Sequence, residues 1–232
     1  MHNSGKQRRT LLAIGLSMIG IMMAQSAAAA ASDSPPVKRI LVFGDSLSAG
    51  YLLKPADAWP MLLTDKLRAD GLNYEVVNAS QSGGTTTGGL ARLPPHLKHR
   101  IDIFVLELGI NDAFRGVPVE EIERNLQEII DKVRTANPGV QLVIAGLQLP
   151  DYSGDRYIQN FGQMYNELAT KNHAALVPYL LQGVGGNPAL NLPDRVHPNA
   201  AGHKILAQNV WAVLEPVARE VAERPSAAAR PR

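Results

Sequence analysis

The sequence predicts one α/β domain built on a parallel sheet, and three observations carry that prediction. Short apolar and β-branched runs alternate with longer amphipathic stretches, the order that parallel strands joined by helical crossovers require. The runs are near-continuous in apolar character, as in strands covered on both faces. Glycine and polar residues gather just after the runs, at the carboxyl edge where such sheets bind ligands. With 232 residues, 45% hydrophobic and 19% charged, and with neither internal repeat nor linker, the chain suits one such domain, placed at residues 36–222.

The elements follow in order. Lys38 to Phe43 (KRILVF), bounded by Gly44, is the first strand. Trp59 to Ala69 sets Trp59, Leu62, Leu63 and Leu67 at helical spacing, and Gly71 closes it. Tyr74 to Val77 is the second strand and Ile101 to Leu108 (IDIFVLEL) the third. Val119 to Thr135 is a helix with its apolar stripe on Ile122, Leu126, Ile129, Ile130 and Val133. Gln141 to Leu147 is the fourth strand, Tyr157 to Asn172 a helix, and Ala175 to Tyr179 a shorter fifth strand. Ala201 to Val221 is the last helix, which Pro216 is expected to kink or end. The Pro/Ala/Arg composition that follows predicts a disordered tail over residues 223–232.

Residues 1–31 read as a secretory signal peptide. Lys6, Arg8 and Arg9 form a basic start, Leu11 to Met23 an apolar run, and Ala29-Ala30-Ala31 before Ser32 a cleavage site. Those thirteen apolar residues are short for a bilayer core of roughly 30 Å, so an uncleaved anchor is the lesser alternative. Cleavage would leave a periplasmic or secreted protein with 20 Lys/Arg against 21 Asp/Glu, and nothing in that balance predicts a nucleic-acid partner or a stable membrane span. With no cysteine, disulfides, thiolate metal sites, lipid attachment at cysteine and a cysteine nucleophile are all excluded. Covalent catalysis would fall to Ser or Thr.

Ser46 ends the first strand, where a hydroxyl faces the carboxyl edge and a helix N-terminus can stabilise negative charge. Taken alone it reads first as a helix cap, the role serine commonly fills at such a position. His197 follows Asp194 by three residues, a spacing at which the carboxylate can take the Nδ1 proton and leave Nε2 as a base; the alternative is an Asp cap with a bystander histidine. The Gly83 N–H, the Ser46 N–H and the Asn111 amide could together receive an oxyanion, although singly Gly83 and Asn111 read as turn residues. His2, His96, His99, His173 and His203 form no tight metal-ligand spacing, and no metal or cofactor is implied. A G-x-S-x-G elbow is absent, and the glycine run from Gly83 to Gly89 lacks the Lys and Ser/Thr of a phosphate loop. Gly183-Val184-Gly185 begins a dinucleotide pattern that Pro188 interrupts.

Gly44-Asp45-Ser46-Leu47-Ser48, Gly83, Gly109-Ile110-Asn111-Asp112 and Asp194-Arg195-Val196-His197-Pro198 stand in the order of the four blocks of the SGNH (GDSL) hydrolase family, which the chain resembles from about residue 38 to about residue 218. GDSLSAGY, AWP, VVNAS-x-SG and GLARLP are similar to its bacterial periplasmic thioesterase I/protease I/lysophospholipase and arylesterase subgroup. The resemblance implies a three-layer α/β/α sandwich with a five-stranded parallel sheet in the order 2-1-3-4-5. It implies Ser46 as nucleophile, His197 as base and Asp194 as its orienter, with Ser46, Gly83 and Asn111 in the oxyanion hole. The substrate would be a small-molecule acyl ester or thioester. Two positions depart from the pattern, Gly84 in place of an acidic residue and Ile110 in place of glycine, and both bear on pocket shape. The segment from Ala113 to Pro118 resembles the subgroup's mobile acyl-pocket loop, and Phe114, Leu149, Tyr152 and Tyr157 are candidate groove residues. Three alternatives stand beside this reading: a carbohydrate O-acetylesterase with the same triad, a metal-dependent phosphoesterase using Asp45, Asn111, Asp112 and His197, and a non-catalytic acyl-binding module.

Overall fold

The computed structural model describes residues 37–150 and 155–224. The expected leader, the tail beyond Arg224 and Tyr152 lie outside them. Strands β1 (Lys38–Gly44), β2 (Tyr74–Asn78), β3 (Ile103–Glu107), β4 (Gln141–Ala145) and β5 (Ala175–Val177) form one sheet, ordered β2-β1-β3-β4-β5 with every pair parallel. Seven helices accompany them among the described residues: α1 (Ser46–Ala49), α2 (Trp59–Ala69), α3 (Thr86–Arg92), α4 (Ile110–Phe114), α5 (Val119–Ala136), α6 (Arg156–Lys171) and, after β5, α7 (Ala200–Glu223). Helix α2 packs on α7, beside β2, β4 and β5, while α3, α5 and α6 stand in a row that reaches β4 and β5. This is the expected three-layer α/β/α sandwich.

All five residues of β3 are buried, as a central strand between two helix layers must be. Ile122, Leu126, Ile129, Ile130 and Val133 of α5 are buried along one stripe, and each such side chain contributes about 1.5–3 kcal/mol relative to exposure. Strands β3, β4 and β5 are shorter than the apolar runs that announced them, because the runs continue past the last ladder residue into loops that stay buried, as at Leu108 and Leu147. Among the described residues no helix is long and apolar enough to cross a membrane.

Pro216 does not end α7, which continues to Glu223. A proline removes one helical N–H donor, but the turns beyond it are tied down from outside. The Tyr74 hydroxyl donates to the Ala218 carbonyl at 2.7 Å, and the Lys38 ammonium donates to the carbonyls of Val221, Ala222 and Arg224. A cation on the orphan carbonyls of a helix C-terminus is favourable by charge and hydrogen bonding alike. Ala218 and Val221 are also buried against the core.

Helix α3 was hidden in sequence by Gly88 and Gly89, which weaken helix propensity. Thr85 caps it by accepting from the Gly88 N–H at 3.1 Å. A Cβ on Gly89 would lie 2.9 Å from Leu108 Cδ1 and 3.2 Å from Ile129 Cδ1, so glycine permits the close approach of this helix to the core.

Helix α2 begins without a side-chain cap from its own segment. Its first N–H, that of Trp59, donates instead to Nδ1 of His203 at 3.1 Å. His203 is buried in the first turn of α7, and burial first, with His197 nearby, pulls its imidazole down to about 4 against the attraction of Asp57. The bond requires neutral His203. An unfolded imidazole takes up its proton near pH 6.5, so stability is full above that value and falls as the pH drops toward 4, by about 3 kcal/mol in all. Urea midpoints measured from pH 7 to pH 4 are expected to show this loss in the wild type and a smaller one in His203→Asn, whose Oδ1 can accept the same N–H without titrating.

Candidate active site

Ser46 is the first residue of α1, directly beyond β1 at the carboxyl edge of the sheet. Asp45 caps that helix, its Oδ1 accepting from the Leu47 N–H at 2.9 Å, and Gly50, at φ +75°, closes it after one turn. The Ser46 hydroxyl is thereby fixed at the start of a short, rigid segment.

The loop from Asn191 to Asn199 supplies the partners. The buried Asn191 amide anchors it to the carbonyls of Val184 and Asn187, both at 2.7 Å. The Leu192 N–H donates to the His197 carbonyl at 2.7 Å, and Asn199 caps α7 by accepting from Ala201 and Gly202 N–H groups at 2.9 and 3.1 Å. Within this frame Arg195 adopts φ +60°, a left-handed turn that folds the chain back over Asp194. Asp194 Oδ1 accepts from the N–H groups of Val196 and His197 at 2.9 and 3.0 Å, and its Oδ2 meets His197 Nδ1 at 2.7 Å. His197 Nε2 stands 2.9 Å from Ser46 Oγ. The His197 N–H, foremost among these contacts, lowers the Asp194 carboxyl to about 2. A carboxylate on Nδ1 selects the tautomer whose Nε2 lone pair faces the hydroxyl, the arrangement that can take a proton from it.

Gly83 adopts φ +73° with open space where a Cβ would be, and among the described residues no group accepts from its N–H or from that of Ser46. Asn111, in α4, directs its amide to Asp45 Oδ2 at 3.1 Å and to the Gly84 carbonyl at 3.0 Å. Gly84 has little room for a side chain, since a Cβ would lie 2.9 Å from the Gln81 carbonyl oxygen. Phe114, at the end of α4, is 60% exposed. The Tyr157 hydroxyl donates to the Val117 carbonyl at 2.6 Å, tying α6 to the loop beyond Phe114, and Leu149 packs half-buried against the core. Among the described residues no three His, Asp or Glu side chains are grouped to hold a metal. Asp112, a candidate in the metal-dependent alternative, is instead bound to the N–H and hydroxyl of Thr86 at 2.9 and 2.6 Å.

Two contributors escaped the sequence reading. The Tyr51 ring lies 4.5 Å from the His197 imidazole, centroid to centroid, tilted by 39°, a contact that spacing along the chain could not reveal. Glu107, the last residue of β3, is fully buried and reaches under Ser46 to the Asp45 N–H at 3.1 Å and the Ser48 hydroxyl at 2.6 Å. A lone acid at the end of an apolar strand carried no signal by itself.

A hydroxyl, an imidazole and a carboxylate in hydrogen-bonded series at the carboxyl edge of a parallel α/β sheet describe a hydrolase of the serine type. The family model for the GDSL-like lipase/acylhydrolase family matches residues 42–205, and the chain belongs to that family. Esterase TesA of Pseudomonas aeruginosa is 39% identical over 210 residues, covering 90% of this chain and 99% of that protein. Thioesterase 1/protease 1/lysophospholipase L1 of Escherichia coli is 37% identical over 190 residues, 82% of this chain and 86% of that one. The structure of the psychrotrophic esterase EstA from Pseudoalteromonas sp., inhibited by monoethylphosphonate, superposes with a TM-score of 0.72 at 28% identity, covering 78% of this chain and 99% of that one.

Proposed function

We propose that this chain hydrolyses carboxylic esters and thioesters through an acyl-serine intermediate on Ser46. The observation that carries the proposal is the relay from Ser46 Oγ to His197 Nε2 at 2.9 Å and from His197 Nδ1 to Asp194 Oδ2 at 2.7 Å. His197 takes the hydroxyl proton as Ser46 Oγ bonds to the substrate carbonyl carbon, giving a tetrahedral oxyanion. The imidazolium returns that proton to the departing alcohol or thiol as the ester or thioester bond breaks. Water, deprotonated by the same imidazole, then adds to the acyl-serine, and the acid is released with Ser46 reprotonated. The N–H groups of Ser46 and Gly83 are open to the oxyanion, while the Asn111 amide reaches it by sharing an N–H now directed to Asp45 or Gly84.

The relatives' names, an esterase and a thioesterase/lysophospholipase, support acyl esters over sugar acetates. So does the exposed apolar surface. Tyr51, Leu52, Phe114 and Val196 are four of the five exposed large hydrophobic residues described; Tyr51 touches His197, Leu52 and Val196 adjoin these two in sequence, and Phe114 shares α4 with Asn111. An apolar rim beside a reactive group suits an acyl chain. Hydrolysis of p-nitrophenyl esters from acetyl to palmitoyl tests this. Phe114→Ala is expected to lower kcat/KM for the longer chains by about tenfold, as loss of one large apolar contact implies, and to leave acetyl-ester turnover near the wild type. Equal loss at every chain length would remove Phe114 from the acyl site. Leu149 and Tyr157 complete the proposed groove, and residues 1–31 direct export to the periplasm or medium, after which residues 36–222 act as one catalytic domain.

A further inference from the structure

Beneath Ser46 two carboxyl groups are buried side by side. Asp45 and Glu107 are each 0% exposed, and their side chains are in hydrogen-bonding contact with each other. Among the described residues neither is in an ion pair. Two adjacent buried anions would be heavily penalised, so such a pair holds a proton. The partners of the four oxygens say where it sits. Both oxygens of Asp45 accept from nitrogen, Oδ1 from the Leu47 N–H at 2.9 Å and Oδ2 from the Asn111 amide at 3.1 Å, the pattern of a carboxylate. Glu107 accepts only at Oε2, from the Asp45 N–H at 3.1 Å and the Ser48 hydroxyl at 2.6 Å. Its Oε1 is buried and receives no donor from the described residues, the pattern of the oxygen that carries hydrogen. The seat is built for this acid: β1 and β3 pair Gly44 with Glu107, and a Cβ on Gly44 would lie 2.5 Å from Glu107 Oε2 and 2.7 Å from Ser48 Oγ.

Taking Ser46 as the nucleophile, we propose that Glu107 is a positioning residue, a neutral carboxylic acid that donates its proton to the Asp45 carboxylate and through it holds both the N-terminus of α1 and the Asn111 amide. Burial, and then the charge of Asp45, favours the protonated form of Glu107. The other titratable groups facing the pair are Arg92 from α3, Asp112 from α4 and Tyr165 from α6. The Arg92 guanidinium donates to the Gly44 carbonyl at 2.8 Å and to the Ala79 carbonyl at 2.5 Å, and its charge balances one carboxylate, not two. The Tyr165 hydroxyl donates to the Leu108 carbonyl at 2.9 Å, while Asp112 is occupied by Thr86. Ionisation of Glu107 at alkaline pH would set two anions against each other and displace Asp45, and with it Asn111 and α1.

The test compares the full chain with Glu107→Gln and Glu107→Leu, using infrared spectra at pH 7 and the pH dependence of kcat on a p-nitrophenyl ester. The wild-type-minus-Gln spectrum is expected to show the carbonyl band of a protonated carboxylic acid. Glu107→Leu should lose about 10-fold to 100-fold in kcat, the cost of a small displacement of reacting groups, with KM little moved. Glu107→Gln, whose amide can donate to Asp45 as the acid does, should restore most of that loss and lack the alkaline fall of the wild type. A difference spectrum showing carboxylate bands alone, or a Gln variant as impaired as the Leu variant, would overturn the proposal. If Glu107→Leu fails to fold, by circular dichroism, the spectrum and the Gln profile still decide. Turnover that survives Ser46→Ala would refute the serine mechanism and not this protonation state, which the infrared band reads separately.

Discussion

Ser46→Ala is expected to lower kcat for a p-nitrophenyl ester by about 10⁶-fold, as removal of the nucleophile does in a serine hydrolase triad, with the fold retained. The size of the effect follows from how the neighbouring hydroxyls among the described residues are engaged. The next hydroxyl on α1, that of Ser48, is buried and donates to Glu107 at 2.6 Å. The Thr86 hydroxyl is likewise bound to Asp112 at 2.6 Å. With Ala at 46, the imidazole has only water to activate, and the open backbone N–H groups at position 46 and Gly83 give a residual rate about 10³–10⁴-fold over that in water. Among the described residues the Ser46 hydroxyl is hydrogen-bonded to His197 Nε2 alone, so no backbone contact is lost with it. Steady-state kinetics and circular dichroism on the same preparations check both halves of the expectation, and a loss below tenfold would be incompatible with a nucleophilic Ser46.

Asp194→Asn is expected to lower kcat by about 10⁴-fold, because an amide in place of the carboxylate turns the imidazole to the wrong tautomer. The loop should survive the change. Oδ1 of the amide can keep the N–H groups of Val196 and His197 that Asp194 now holds at 2.9 and 3.0 Å. The Nδ2 of asparagine then donates to His197 Nδ1, which places the ring hydrogen on Nε2 and points it at Ser46 Oγ. Asp194→Ala removes the two backbone bonds as well, so it should add about 1 kcal/mol of instability to a similar kinetic loss. Parallel measurements of kcat and urea midpoint separate the two variants. Equal activity of Asp194→Asn and wild type would show that the carboxylate does not set the tautomer.

The fold was readable in sequence wherever burial and periodicity agreed. The mainly apolar runs of β1 and β3 and the one-faced stripe of α5 announced themselves because each satisfies a single packing demand. Helix α3 was not readable, since its glycines answer the closeness of Leu108 and Ile129 and not local propensity. Continuation of α7 past Pro216 likewise depends on Tyr74 and Lys38, which precede it by well over a hundred residues. The site divides in the same way. Asp194 and His197 are three residues apart, so their pairing is a local event that spacing can suggest. The approach of His197 to Ser46 is tertiary, and there the resemblance to a known family supplied what spacing could not. Tyr51, His203 and Glu107 stayed hidden because each acts through a partner distant in sequence: His197, Trp59 and, for Glu107, the Asp45–Ser48 turn.

Covalent trapping reads the nucleophile itself. The chain would be treated with an alkyl phosphonate ester bearing a p-nitrophenyl leaving group, digested, and the modified residue located by mass spectrometry. One adduct is expected, on Ser46, formed in step with loss of activity, slowed strongly in His197→Ala and absent in Ser46→Ala. An adduct on another residue, or full inactivation with Ser46 unmodified, would contradict it.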